Sequence, residues 1–268
     1  MFAKRGTPTL LHAARFLHAL AACSLVAGAA LGACAPAPAP SPTPGPVPRV
    51  AVTLAFAPLV LGWAQSYVEQ TGPLPFDVEV VHATAALEGL NQGDYQLAIG
   101  ALEPEAGWFA TPLANDPIAV VTGSGTGLQD VASTALIELF SGRVSDWSVL
   151  GGTDQSVQPV VPLPGDDLRR VIGEQLMHGT PFASGSRLVA GPEQALALLE
   201  EVHGAIALVP LSALPEGVRP LRLNGALPTQ DRAPADKYGL IATVLAIALD
   251  EPEGSVRDWL VWLQATGN

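Results

Sequence analysis

The sequence predicts an α/β protein whose mainly parallel sheet carries helices on both faces, because short apolar runs alternate with amphipathic segments over residues 50–268. The chain has 268 residues, of which 49% are hydrophobic and 14% are charged, so it can build a sizeable core and is not a disordered chain. Acids outnumber bases by 25 to 13, which gives a net charge of −12. A nucleic-acid-binding protein needs a basic surface, and this composition provides none.

Strands and helices are predicted in a regular order. Short apolar runs predict strands over residues 49–54, 76–80, 95–100, 118–121, 157–161, 205–209 and 240–249. The run over 240–249 is almost unbroken in its apolar character, so we expect it at the centre of the sheet. Apolar residues spaced three or four apart predict helices that begin near Pro58, Thr84, residue 130, Asp166, Pro192 and Val256.

Residues 1–33 have the composition of a targeting signal rather than of a folded domain. Lys4, Arg5 and Arg15 precede an apolar run over 16–30, and Leu31-Gly-Ala-Cys34 follows it. This is the pattern of a secretory signal peptide with small residues at the cleavage site. A membrane-spanning helix is the alternative, because the apolar run is close to the minimum length for one.

The segment that ends at Cys34 resembles the lipobox of bacterial lipoproteins, in which the signal peptide is removed before the cysteine. The resemblance implies that the sulfur of Cys34 carries a diacylglycerol and anchors the protein to the outer face of the cell membrane. Cys23 leaves with the signal peptide, so no disulfide can form within the mature chain.

Residues 34–49 are predicted to form a tether. Proline occupies every second position from 36 to 48, and such a run favours extended polyproline II. At about 3.1 Å per residue, the tether would hold the folded domain roughly 45 Å from its anchor. A low-complexity segment without a role is the alternative interpretation.

A second resemblance covers about residues 50–268. The segment Leu139-Phe-Ser-Gly-Arg143, followed by Trp147 and by Gly151-Gly152, resembles the phosphate-binding-protein branch of the extracytoplasmic solute-binding superfamily. Weaker matches follow in the same order as in that family, at Ala57-Pro-Leu59, Gly204-Ala-Ile-Ala-Leu-Val209, Pro228-Thr229 and Tyr238-Gly-Leu240.

This resemblance implies a two-lobed periplasmic-binding-protein-like fold. One lobe would cover about residues 50–118 plus 214–268, and the other about 119–213. Crossover strands would join the lobes, which would close like a hinge around a small solute. In an ABC importer, such a protein delivers its ligand to a membrane permease.

The resemblance also implies where a ligand would bind. Members of the family hold phosphate with hydroxyls, backbone N–H groups and helix N-termini, together with one arginine and one acid. The acid that accepts a phosphate proton corresponds to Glu103. The candidate ligand-binding residues are therefore Thr53, Leu54, Thr84, Glu103, Gly165, Asp166, Asp167 and Leu168.

The third loop of this site departs from the family pattern, because Asp166 and Asp167 replace its small and hydroxyl residues. Two carboxylates at a helix N-terminus cap its free N–H groups and satisfy its dipole. A phosphate there would meet like charges, at roughly 1–4 kcal/mol per pair. We therefore expect no high-affinity phosphate binding in the family's manner. The two acids are either simple helix caps or part of a site for a cationic or hydroxyl-rich ligand.

Other motifs predict no catalytic or metal site. Gly123-Ser-Gly-Thr-Gly127 lacks the lysine of a P-loop and is interpreted as a plain loop, and the chain has no nucleophile elbow. His82, His178 and His203 lack the spacing of metal ligands. We expect a monomeric protein that is not an enzyme and that needs no metal or cofactor. Two functions remain: ABC-type solute binding, in transport or in sensing, with an unidentified ligand; or a surface scaffold that does not transport.

Overall fold

The computed structural model describes residues 46–229 and 238–266, all within the compact unit Gly45–Asn268. The predicted signal peptide and most of the predicted tether lie outside the described residues. Among the helices of the described residues, none combines the length and the apolar character that crossing a membrane requires.

Within residues 46–229 and 238–266, ten strands form the sheets. They are β1 (Arg49–Thr53), β2 (Asp77–Val81), β3 (Leu97–Gly100), β4 (Phe109–Thr122), β5 (Asp130–Val131), β6 (Gln158–Pro162), β7 (Arg187–Val189), β8 (Ala205–Pro210), β9 (Arg222–Leu223) and β10 (Ile241–Ala248). Eight of them form one sheet in the order β2-β1-β3-β10-β4-β8-β6-β7, and β5 pairs with β9. The predicted central position of the strand over 240–249 is confirmed.

Two parallel groups of strands flank an antiparallel centre. Strands β2, β1 and β3 run parallel on one side, and β8, β6 and β7 run parallel on the other. Strand β10 is antiparallel to β3 and β4, and β4 is antiparallel to β8. Most strand pairs are thus parallel, as predicted. We call β2, β1, β3 and β10 the first sheet half, and β8, β6 and β7 the second sheet half.

Strand β4 connects the two halves. Its residues 109–117 pair with β10, and its residues 118–122 pair with β8. The Tyr238 hydroxyl donates to the carbonyl of Ile118 at 2.8 Å, close to the point where the strand changes partner. Only the second part of this strand was predicted. The first part was not predicted because it contains Pro112 and Pro117, and proline usually argues against a central strand.

Among the described residues, six α-helices cover the sheet. They are α1 (Ala57–Thr71), α2 (Ala83–Gln92), α3 (Ser133–Ser141), α4 (Asp167–Ile172), α5 (Pro192–Glu201) and α6 (Gly254–Thr266), and α4 continues as a π-helical turn over Gly173–Met177. Helix α3 begins at Ser133 rather than near residue 130, because residues 130–131 pair with β9 instead. The other predicted helices lie close to their expected positions.

The motif that carries the family resemblance belongs to the core. Phe140 and Trp147 are almost fully buried, and Trp147 Nε1 donates to the carbonyl of Gly204 at 3.0 Å. A Cβ atom at Gly152 would lie 2.5 Å from the Thr126 carbonyl oxygen, so only glycine fits there. The specificity of this motif therefore reflects packing rather than ligand contact.

Candidate functional site

The candidate site lies where loops follow the carboxyl ends of β1, β3 and β6. Thr53 is the last residue of β1, Ala101 follows β3, and Asp166 and Asp167 open α4 after β6. The carboxyl ends of parallel strands are the usual place for ligands in open α/β sheets. Here the loops of the two sheet halves come into direct contact.

The Asp167 carboxylate joins the two sheet halves. Its Oδ2 atom accepts hydrogen bonds from the Thr53 hydroxyl at 2.8 Å and from the Ala101 N–H group at 2.9 Å. Its Oδ1 atom accepts from the Leu168 N–H group at 3.0 Å. Asp167 is 4% exposed and Thr53 is 0% exposed, so these bonds are shielded from water. The Thr53 hydroxyl and the Ala101 N–H group thus donate to a carboxylate of the chain itself.

Asp166 has a different role from its neighbour. Its side chain caps α4, because Oδ1 accepts from the Leu168 N–H group at 2.9 Å. Burial, together with the nearby Asp167 carboxylate, raises the pKa of Asp166 to about 7. Burial also raises the pKa of Asp167, against the opposing effect of its hydrogen bonds from Thr53 and Ala101. The site therefore holds two buried carboxyls that compete for ionisation.

Two glycines allow the close approach of these loops. A Cβ atom at Gly100 would lie 2.4 Å from Thr53 Oγ1 and 2.6 Å from Asp167 Oδ2. A Cβ atom at Gly165 would lie 2.9 Å from Thr84 Cγ2, and the φ of Gly165 is +81°. Gly165 and Thr84, predicted as site residues of separate loops, are therefore brought together.

Arg170 makes a second set of contacts across the cleft. Its Nη2 atom donates to the Ala101 carbonyl oxygen at 2.5 Å, and its Nη1 atom lies 3.2 Å from Glu103 Oε1. The Glu103 side chain is 68% exposed, and Glu174 Oε2 lies 2.8 Å from the same Nη1 atom. Paired arginines on a helix usually form a solvated face, but the Arg170 side chain reaches a backbone group that follows β3 of the first sheet half.

A cavity of about 480 Å³ opens beside these contacts, within the size range of small-molecule sites. Arg169 is on its wall, with the guanidinium 4.6 Å from the centroid of the Phe182 ring and Nη1 donating to the Pro162 carbonyl at 2.7 Å. The cavity is lined by Ala83, Leu87, Leu102, Glu103, Gly165, Asp166, Asp167, Arg169, Arg170, Gly173 and Phe182.

The remaining candidate residues lie at the edge of this arrangement or away from it. Leu54 packs towards Gly191, where an added Cβ atom would lie 3.5 Å from Leu54 Cβ. His82 Nδ1 and Thr84 Oγ1 are 2.9 Å apart. Trp108 packs against a buried apolar cluster of the first sheet half. The Gly123–Gly127 loop is tied down, since the Thr153 hydroxyl donates to the Gly125 carbonyl at 2.7 Å.

The sequence missed one group that the site uses directly, the backbone N–H of Ala101. Every residue except proline carries such a group, so residue type gives no signal for it. The position just after the buried run that ends at Gly100 is the signal that could have found it.

Comparison with known proteins agrees with this architecture. A family model described as a PBP superfamily domain matches residues 37–265. The phosphate-binding protein PstS of Bacillus subtilis is 22% identical over 219 residues, which cover 79% of this chain and 73% of that protein.

Solved structures show the same fold. A Clostridium perfringens protein solved with bound phosphate superposes with a TM-score of 0.73 at 16% identity, over 81% of this chain and 92% of that one. An ABC-type phosphate transport receptor from Vibrio cholerae gives 0.63 at 18% identity, over 81% and 93%. The CcmR regulatory domain of Synechocystis, in complex with 2-PG, gives 0.56 at 15% identity, over 82% and 96%. The chain therefore belongs to the PBP superfamily and has the substrate-binding fold of phosphate-binding proteins.

Proposed function

We propose that the chain is an extracytoplasmic solute-binding protein, anchored to the cell membrane through Cys34, that does not bind phosphate in the manner of its relatives. The hydrogen bonds from Thr53 and Ala101 to Asp167 are the observation that carries this proposal. By the family resemblance, the first of these donors belongs to a loop that would hold a phosphate oxygen. In this chain a carboxylate oxygen takes that place.

Electrostatics supports the same conclusion. A phosphate that entered the site would have to displace Asp167 from charge-assisted hydrogen bonds, each of which contributes about 1.5–3 kcal/mol. It would also lie against Asp166, a second buried acid. Arg170 offers little compensation, because its guanidinium is already engaged by Glu103, Glu174 and the Ala101 carbonyl.

Phosphate titration of the full chain by calorimetry tests the proposal. We expect no heat of binding at millimolar phosphate for the wild-type chain. The double variant Asp166→Ser, Asp167→Gly restores a Gly-Ser-Gly loop of the family type, and we expect it to bind phosphate at least about tenfold more tightly, equivalent to about 1.4 kcal/mol. The single variant Asp166→Ser is the matched control and should not bind, because Asp167 remains. Micromolar phosphate binding by the wild-type chain would contradict the proposal.

The membrane anchor is a separate part of the proposal, supported by the lipobox pattern of residues 31–34. Labelling of cells with radioactive palmitate should mark the wild-type chain and not Cys34→Ala. The variant Cys23→Ala is the control and should label like the wild type, since that cysteine is removed with the signal peptide. Equal labelling of both variants would exclude the anchor.

We also retain the two-lobe division as a proposal, with lobes over about 50–118 plus 214–268 and over 119–213. The change of partner along β4 between residues 117 and 118 supports its first boundary. A monomer that delivers its solute to an ABC permease is the expected form of action.

A surface scaffold with the same fold that does not transport is the second candidate, favoured by the hydrogen bonds of Thr53 and Ala101 to the chain's own Asp167. A thermal-shift panel of phosphate, sulfate, sugars and polyamines separates the two functions. A solute at 100 times its Kd stabilises the folded chain by about 2.7 kcal/mol, which gives a clear rise in Tm. A rise with any member favours solute binding, and no rise with any member favours the scaffold.

A further inference from the structure

Both backbone polar groups of Ala101, the residue that follows β3, are bound by side chains of α4. The N–H group of Ala101 donates to Asp167, and the carbonyl oxygen of Ala101 accepts from Arg170. Asp167 and Arg170 are three residues apart at the start of α4, which places them on one face of the helix. Helix α4, which follows β6 of the second sheet half, therefore binds both the N–H group and the carbonyl oxygen of Ala101.

The fit of this contact is close. Thr53, Ala101 and Asp167 are each at most 4% exposed, so water does not compete for their hydrogen bonds. The space at Gly100 is too small for a methyl group, because Thr53 and Asp167 lie within 3 Å of where it would stand. Such a fit requires the two halves to be drawn fully together.

We propose that Asp167 and Arg170 form an intramolecular latch that holds the cleft closed, with the Asp167 carboxylate acting as a built-in substitute for an anionic solute. The inference rests on the proposed filling of the anion position and goes beyond it, because it concerns what closes the protein. In relatives that close around a free solute, closure is a response to solute concentration. In this chain, closure is set by its own residues.

An attached carboxylate has an advantage over a free anion. A free solute loses translational and rotational freedom when it binds, and this loss opposes binding. Asp167 is already part of the chain and loses only side-chain and hinge freedom. The closed state should therefore dominate at every concentration of phosphate.

Distances between spin labels on the two halves test the latch. Glu88 on α2 and Ser184, close to Phe182, are exposed residues beside the cavity and suit replacement by cysteine. The full chain would also carry Cys23→Ser and Cys34→Ser, so that only these two positions are labelled. We expect one narrow, short distance without added solute, unchanged by millimolar phosphate.

Variants then identify the latch. Asp167→Ala removes both hydrogen bonds to the first sheet half, so we expect a longer and broader distance distribution. Asp166→Ala is the matched control, because among the described residues the Asp166 carboxylate bonds only within its own helix, and its distance should stay short. Thr53→Val keeps the shape of a buried residue but removes the hydroxyl donor, so it should also lengthen the distance. This variant provides the test if Asp167→Ala does not fold.

The outcomes separate the latch from the proposed function. A wild-type chain that binds no phosphate but gives long distances contradicts the latch alone. So do equal distances in the wild type, Asp167→Ala and Thr53→Val. A wild-type chain whose labels approach only when phosphate is added contradicts both proposals.

Discussion

Asp167 in the cleft and Asp116 on β4 are both buried carboxyls that accept hydrogen bonds from one hydroxyl and one backbone N–H group of another element, and Asp167 also accepts from the Leu168 N–H group of its own helix. Asp116 is 2% exposed, and its partners are the hydroxyl and the N–H group of Ser212, the latter at 3.2 Å. Burial raises the pKa of Asp116, against the opposing hydrogen bonds from Ser212. The two carboxyls therefore share their chemistry.

The two sites differ in where the donors come from. Both donors to Asp116 belong to one residue in the turn that follows β8, the neighbour of β4 in the sheet. The donors to Asp167 come from the ends of two strands of the other sheet half. A hydroxyl and an N–H group that bind a buried acid therefore hold the cleft closed only when they lie on the opposite side of the cleft from that acid.

The largest effect is expected from Gly100→Ala, which acts on the cleft alone. The added methyl group would overlap Thr53 Oγ1 and Asp167 Oδ2. We expect the free energy of unfolding to fall by about 3 kcal/mol, measured by urea denaturation, because the contact is overpacked. Gly62→Ala, in α1 with no atom within 4 Å of the added carbon, is the control and should be neutral or stabilising. Equal stability of the two variants would show that the cleft is loosely packed.

Removal of one hydroxyl at each site sharpens the comparison. Thr53→Val should lower the free energy of unfolding by about 2 kcal/mol, because a fully buried carboxylate loses a donor. Ser212→Ala should lower it by about 1 kcal/mol, because Ser212 is only partly buried and water can replace its hydroxyl. Only Thr53→Val should change the spin-label distance across the cleft. A change of that distance in Ser212→Ala would place Asp116 among the groups that control closure.

Titration of Asp166 is expected to give a pH dependence of stability, with a slope of about 1 kcal/mol per pH unit. Its pKa is about 7 in the folded chain, against a value near 4 when unfolded. Its contribution to stability is therefore fully present below about pH 4 and is lost as the pH rises through 7. Urea denaturation between pH 5 and pH 8 should show this loss, and Asp166→Asn should show a shallower slope. Asp167 and Asp116 leave part of the slope in place, since burial raises the pKa of both. Parallel slopes for the two chains would contradict the assignment.

Much of the fold could be predicted from local patterns, because apolar periodicity reports burial directly. The same holds for Asp166, whose role as a helix cap follows from residue type and position. The first part of β4 could not be predicted, because its prolines and its buried Asp116 resemble a loop until β10 and Ser212 are known to accompany them.

The site was predicted in part, and the missing part has a physical reason. Thr53, Asp166 and Asp167 could be named as candidates, because the family resemblance matches their loops to loops that hold phosphate in that family. The bridging of two sheet halves by Asp167 and Arg170 could not be predicted. Both contacts end on backbone atoms of Ala101, and the identity of that residue does not determine them.

The pairing of β4 bears on how the molecule would move. Along β4 the pairing passes from β10 to β8 between residues 117 and 118 with no unpaired residue between them, although the register with β10 shifts between Val244 and Leu245. Rotation of one half against the other would therefore twist the β4 backbone where the strand changes partner, and that twist would oppose the rotation. The resting conformation would then depend on two contributions, the preferred twist of β4 and the hydrogen bonds of the Asp167 carboxylate.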